Sequence, residues 1–150
     1  MRALLIPIPE KIISRIISHK QRYLFRRCAI RQGFDRVICF TPEPSPTTVL
    51  ELLPGPVEDM MRGQRFNHFF RFSAMQQSEW DAYWFGCTKP HAIEICEFAL
   101  QPLDKRFNPV EYWRLKQAPQ NFCYVPSPNW PLGHPYELPT ELFGKQLSCL

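Results

Sequence analysis

The sequence is short of glycine, has no closely spaced cysteine pair and contains no long apolar run, and each shortage removes a class of protein. Six glycines stand against sixteen prolines. A proline has no amide donor and obstructs the preceding helical turn, so long uninterrupted helices are excluded and many short elements joined by stiff loops fit better. No apolar run approaches the roughly 18 residues that a membrane span requires. The stretch ALLIPI after Met1-Arg2 is too short for the core of a signal peptide, so the expectation is a cytoplasmic protein with no membrane partner. The cysteines Cys28, Cys39, Cys87, Cys96, Cys123 and Cys149 form no CxxC or CxxH pair, and His19, His68, His91 and His134 have no ligand spacing. Neither a metal nor a cofactor is therefore expected. An even cysteine count would suit disulfides in a secreted chain, but nothing marks export, so most of these thiols are expected as buried small hydrophobes.

What is present suffices for one core. At 150 residues, with 45% hydrophobic and 14% aromatic content, the chain has the size of a single domain, and no internal repeat divides it. Charge is uneven. Residues 1–36 hold nine Lys and Arg against Glu10 and Asp35, a net of +7, which leaves −3 for the rest of the +4 chain. Such a basic block suits attraction to phosphate, although an ordinary solvated face has the same composition.

Hydrophobic periodicity gives the elements. RALLIPI reads as a strand over residues 2–8. A helix over 9–19 follows, with Pro9 at its first position, Glu10 near the positive end of the dipole, and Ile12, Ile13, Ile16 and Ile17 as its apolar stripe. The period then changes to two over residues 22–28, with Arg22, Leu24, Arg26 and Cys28 on one face and Tyr23, Phe25 and Arg27 on the other. Further strands are expected at 36–40, 49–53, where PGP would end the run, 91–98 and 121–125. TPEPSPTT reads as a stiff surface loop. SAMQQSEWDAYWFG predicts a short helix capped by Ser73 or Ser78 and stopped by Gly86, burying Trp80, Tyr83 and Trp84. RFNHFFRF, residues 65–72, interleaves arginine with phenylalanine; it suits either a buried strand or packed loop, or a surface on which bases stack.

Three strings, LLIPIPEKIISRIIS with RYLFRR, EWDAYWFGCTKPHAIEI, and APQNFCYV, resemble in order and spacing the ASCH domain, a member of the PUA-like superfamily. The resemblance covers residues 1 to about 125. It implies an α+β fold, a small, partly open PUA-like β-barrel with the N-terminal helix covering one mouth. Residues 126–150 would then form a proline-rich tail packed on the domain.

The family's motif is glycine, any residue, lysine, two residues, glutamate, one residue, arginine. Aligned without gaps it falls on His19, Gln21, Leu24 and Arg26, and only the arginine matches; a shift by one would place the lysine on Lys20 but the glutamate on Tyr23 and the arginine on Phe25. Some bacterial members hydrolyse acetylated cytidine with that lysine and an acid. Gln21 and Leu24 cannot exchange protons usefully, and although Glu94 or Glu97 could supply a carboxylate and Thr41, Thr47 or Thr48 a hydroxyl, no spacing ties them to a base. No catalytic residue is assigned. Related PUA domains bind structured RNA beside this helix and strand, so the resemblance implies a catalytically degenerate relative that binds nucleic acid, RNA favoured, through Lys20, Gln21, Arg22, Arg26, Arg27 and Arg31. The alternatives are a protein-interaction module using the proline-rich loop and tail, and a nucleoside amidohydrolase with a shifted active site.

Overall fold

The computed structural model describes residues 1–31, 33–42, 48–101 and 107–134. Its elements in chain order are strand β1 (Arg2–Pro7), helix α1 (Glu10–Ile17), strands β2 (Tyr23–Arg26), β3 (Phe34–Phe40) and β4 (Val49–Asp59), a 3-10 turn (Arg62–Gln64), helices α2 (Phe66–Arg71) and α3 (Gln77–Trp84), strand β5 (His91–Leu100), helix α4 (Pro109–Tyr112) and strand β6 (Cys123–Pro126). The strands form a six-stranded sheet in the order β2-β5-β4-β3-β1-β6. It is mixed: β1 runs parallel to β3, while the β1–β6, β2–β5 and β3–β4 pairs are antiparallel. This is the expected α+β class. The barrel is not closed, however, because the four-residue end strands β2 and β6 each pair with one neighbour and not with each other, so α1 covers no barrel mouth.

Several boundaries differ from the sequence reading for local reasons. β4 does not stop at PGP but continues through Pro54, Gly55 and Pro56 to Asp59. β3 pairs with β4 only from Val49 to Leu52, so the prolines lie beyond that ladder, where a missing amide removes no bond to β3. Residues 65–72 are not a strand: they contain α2, a helix too short for its period to show. Neither expected serine caps α3. Gln76 precedes it without a side-chain bond, while Ser73 Oγ accepts from the Met75 amide at 3.0 Å and Ser78 lies within the helix. α4 is a helix the sequence reading did not include; Asn108 Oδ1 caps it by accepting from the amides of Val110 at 3.0 Å and Glu111 at 3.3 Å, and Pro109 needs no amide partner there. Among the described cysteines only Cys39 is buried; Cys28, Cys87 and Cys123 are half-buried and Cys96 is exposed, so most of these thiols are not core hydrophobes. Residues 43–47 of TPEPSPTT, Thr47 among them, and the tail from residue 135 onward, Cys149 included, lie outside the described residues.

The chain forms two compact units: residues 1–10, 34–53 and from 97 onward, and residues 11–33 with 54–96. β4 and β5 run from one into the other. In the first unit, one sheet face presents Ala3, Leu5, Ile38, Phe40, Val49 and Val125, which pack with Phe107 and Trp130 and with the half-buried Val110, Trp113 and Leu115. Glu51 lies on the face of Val49 and is 0% exposed. Its Oε1 accepts from Trp130 Nε1 at 2.9 Å and Arg36 Nη1 at 3.2 Å, and its Oε2 from the Gly133 amide at 2.7 Å and from Gln101 Nε2. Arg36 Nη1 also donates to the Trp130 carbonyl at 3.0 Å. Gly133 has φ 80, and a Cβ there would stand 2.8 Å from that of Ala99, so backbone and space both call for glycine.

In the second unit the Tyr23 and Phe25 face of β2 meets α2 and α3. Tyr23, Phe25, Met60, Phe69, Trp80 and Ala92 are buried together, with Phe66, Phe70, Phe72, Met75, Tyr83 and Trp84 packed around them. Trp80 is the hub. Its ring lies edge-on to Phe25 at 5.3 Å, Phe70 at 5.4 Å and Trp84 at 5.6 Å, an arrangement favoured by the ring quadrupoles.

Replacing Glu51 tests whether the buried carboxylate organises the first unit. In Glu51→Gln one acceptor becomes an NH2 group facing donors, and Arg36 keeps its charge without a counterion. The expected loss is about 3 kcal/mol of unfolding free energy, read from the urea midpoint. A midpoint unchanged from wild type would mean that the network does not hold the fold.

Candidate nucleic-acid interface

The six residues singled out from the sequence all lie in the second unit, around β2 and the turn before it. α1 ends in a Schellman arrangement: His19 adopts φ 63, its amide donates to the Ile16 carbonyl, and the amide of Lys20 donates to that of Arg15, each at 3.0 Å. The Gln21 amide shares the Arg15 carbonyl, also at 3.0 Å. This tight reversal leaves Lys20 exposed and turns Gln21 inward, where it is 3% exposed. Gln21 Nε2 donates to the Tyr23 carbonyl at 2.8 Å, and its Oε1 has no hydrogen-bond partner among the described residues. Gln21 is thus a buried polar residue, away from the surface that a phosphate backbone would touch.

Arg22 stands exposed at the start of β2. Its backbone is fixed on both sides, the amide donating to the Phe72 carbonyl and the carbonyl accepting from Ile95, each at 3.0 Å. Its guanidinium lies over the Phe72 ring, 5.2 Å from the centroid. Next to it, Tyr23 Oη is 3.1 Å from His68 Nε2. Burial, supported by the charges of Glu58 and Glu94 and opposed by Arg65 and Arg22, pushes the Tyr23 phenol above its ordinary range. Arg65 itself bonds Glu58 at 2.6 Å and covers Phe69. This end of β2 therefore mixes cations with carboxylates.

The other end differs. Arg26 pairs with His91 across the β2–β5 ladder and is half-buried; Arg27, one residue on, is exposed and donates from Nη2 to the Phe85 carbonyl at 2.8 Å. The Cys87 thiol in turn donates to the Arg27 carbonyl at 3.3 Å. Tyr83 donates to the Phe25 carbonyl at 2.8 Å, and burial pushes its phenol up despite the opposing charges of Arg26 and Arg27. Neither residues 24–34 nor 82–93 contain an Asp or Glu. Arg22 and Arg26 are four residue steps apart, about 13 Å at 3.3 Å per residue. The structure thus divides the expected patch into two ends, with Arg31 exposed on the segment that follows.

The aromatic residues of 65–72 are turned inward: Phe69 is buried and Phe66, Phe70 and Phe72 pack against the same cluster. Their rings belong to the core. Of the groups considered for hydrolysis, Thr41 is buried and its Oγ1 accepts from the Thr48 amide at 3.1 Å, Glu94 is half-buried and Glu97 exposed. Among the described residues no group of three or more His, Cys, Asp and Glu could hold a metal ion, and no helix is long and apolar enough to cross a membrane. Two features escaped the sequence reading. Arg15 and Glu79 join α1 to α3 by two bonds, Nη1–Oε2 at 2.7 Å and Nη2–Oε1 at 2.8 Å, and Phe85 projects at the end of α3. Residues 64 positions apart carry no local signal, and a lone phenylalanine before glycine does not disclose its exposure.

No family model matches the sequence, and no curated protein matches it. Solved structures do. The ASCH protein of Zymomonas mobilis superposes with a TM-score of 0.60 at 19% identity, over 82% of this chain and 87% of that one. A tyrosine-to-phenylalanine variant of that protein gives 0.58 at 19% identity over 82% and 89%, and a serine-to-alanine variant 0.57 at 17% over 93% and 95%. The chain therefore shares the ASCH fold.

The Arg15–Glu79 pair makes a pH-dependent contribution in the second unit. Its hydrogen bonds hold the Glu79 carboxyl below the ordinary carboxylate range. A lowered folded value stabilises above the unfolded pKa of about 4.3, and the contribution disappears as pH falls through the folded value. Because the Glu79 side chain is 30% exposed, screening keeps the expected effect within about 1 kcal/mol. Denaturant curves for wild type and Glu79→Gln should differ at pH 7 and converge in acid. A constant difference across that range would show that the ion pair is not its source.

Proposed function

We propose that this ASCH-fold chain binds nucleic acid through the exposed cations around β2, RNA being favoured by the superfamily resemblance. The observation that carries this is Arg27, exposed at an end of β2 whose flanking segments, 24–34 and 82–93, contain Arg26, Arg31 and Lys89 and no acid. Its guanidinium has five N–H donors and only one meets the Phe85 carbonyl, so a fork remains for a phosphate oxygen pair. Arg22 supplies a second exposed guanidinium, oriented by Phe72. Lys20 and Arg31 add charge, and Gln21 supports the turn from inside. Arginine at such positions fits phosphate oxygens better than lysine, because its planar fork donates two bonds at once.

Binding without hydrolysis is the form this reading takes. Gln21, at the position of the family's lysine, is neutral at every working pH, and its amide nitrogen already donates to the Tyr23 carbonyl. Leu24, at the position of the glutamate, is buried and cannot carry a proton.

Two measurements test the proposal. Changing Arg22, Arg26 and Arg27 together to Ala should weaken binding of mixed-sequence RNA and flatten the dependence of log K on log salt by about one unit for each phosphate that these arginines neutralise. Wild-type affinity and slope in that variant would remove these arginines from the interface. Incubation with acetylated cytidine should release no cytidine. Turnover in the wild type that disappears in Lys20→Ala would instead establish a shifted catalytic motif.

A further inference from the structure

Phe85 is 84% exposed, more than any other large hydrophobic side chain among the described residues. Its position is imposed by a tight turn. α3 ends at Trp84, Phe85 takes φ −56 and ψ 124, Gly86 has φ 74, and the Cys87 amide closes onto the Trp84 carbonyl at 2.9 Å. These are the features of a type II turn, in which the third residue needs a positive φ and the second stands at the corner. That corner is pinned twice to the end of β2, by Arg27 Nη2 on the Phe85 carbonyl at 2.8 Å and by Cys87 Sγ on the Arg27 carbonyl at 3.3 Å. The backbone beneath the ring is anchored while the ring itself is open to water. The turn does not require an aromatic at its corner, and hiding such a side chain is worth about 1.5–3 kcal/mol, so a displayed ring is available to whatever can cover it.

The surroundings select the occupant. A wholly apolar partner face would have to desolvate the Arg27 guanidinium without a counterion. A nucleotide brings both halves of what is needed: a flat base to cover the ring and a phosphate for the cation. The acid nearest in sequence, Asp81, lies a turn earlier on α3 and accepts from Gln77 Nε2 at 2.8 Å. Lys89, two residues before His91 at the start of β5, is exposed and adds a second cation near the pairing of Arg26 with His91.

We infer that Phe85 is a stacking platform for an unpaired base of single-stranded nucleic acid, with Arg27 receiving the adjacent phosphate. This rests on the binding function proposed above and adds to it a preference for unpaired strand at this end of β2. Stacking on an aromatic ring tolerates any base, since every base has a π-face, so affinity should depend weakly on sequence and strongly on strandedness.

The test compares wild type with Phe85→Ala, Phe85→Leu and Phe85→Trp, using a fluorescein-labelled mixed-sequence RNA of about a dozen nucleotides, the site size of a small single-strand binder, and its duplex. An 84% exposed ring can be truncated without disturbing the core, and an unchanged thermal midpoint verifies this. Phe85→Ala should lose about 5- to 100-fold in single-strand affinity with an unchanged salt slope, because the side chain removed carries no charge. Phe85→Trp should bind at least as tightly as wild type, Phe85→Leu should resemble the alanine variant, and duplex binding should be the same in all four. If wild type binds RNA and Phe85→Ala binds it equally well, the stacking platform is overturned while the binding function stands. If wild type binds no RNA even at low salt, both are overturned. A wild type that sediments as a dimer and a Phe85→Ala variant that sediments as a monomer would assign the ring to contact between copies and overturn stacking.

Discussion

A carboxylate sealed from water must be surrounded by donors, and Glu51 gathers its donors from distant parts of the chain. Arg36 lies on β3, Gln101 just beyond β5, and Trp130 and Gly133 in the irregular segment after β6. Removing one such donor would leave a lone pair unmet in a medium that cannot solvate it, so the network holds only when all its members are in place. The consequence is a fixed path for a proline-rich segment that has no regular hydrogen bonding to guide it. Trp130 can enter the cluster of Phe107 and Phe40 because its indole nitrogen finds a carboxylate there. Gly133 must then approach closely enough for its amide to reach the same group, which no side chain at that position would allow.

The second unit is organised by apolar area instead. Phe25, Phe66, Phe70 and Trp84 meet Trp80 edge to face, and this ring packing lays α2 and α3 against β2. Since Tyr23, Leu24 and Phe25 are all buried, both faces of β2 are used for packing and its cations are confined to the ends. The arrangement of the candidate interface is therefore a by-product of the core. Arg22 and Arg26, four residues apart, stand about 13 Å from each other along the strand, with the buried Leu24 between them on the same face.

The strands were legible because alternation and apolar runs are local properties: β1, β3 and β5 lie within about two residues of where the pattern put them, the usual boundary error. α2 was not. Six residues are fewer than two helical turns, and four phenylalanines in eight look the same in a strand as in a short buried helix. Closure of the sheet was equally invisible, because it depends on whether β2 and β6 meet, a relation between residues about a hundred positions apart. Of the site residues, the exposed arginines follow from charge, whereas the burial of Gln21 follows from a left-handed His19, where a glycine would have been the recognisable signal. Glu51 falls inside the strand that the pattern places at 49–53, and nothing nearby in sequence announces partners 79 and 82 residues away.

The two ends of β2 differ in what an anion would have to displace. At Arg22, carboxylates are already close: Glu58 is held by Arg65 at 2.6 Å, and both Glu58 and Glu94 act on the Tyr23 phenol. A phosphate arriving there gains Arg22 but meets acids of its own sign, and the net attraction is reduced at distances within a screening length of about 8–10 Å. At Arg27 the local segments carry no acid, and among the described residues the guanidinium's hydrogen bond goes to a neutral carbonyl. Neutral contact orients the fork without neutralising it. The same sum of arginines thus has unequal worth along one short strand, and phosphate recognition should be concentrated where a cation is positioned by dipoles rather than paired with a carboxylate.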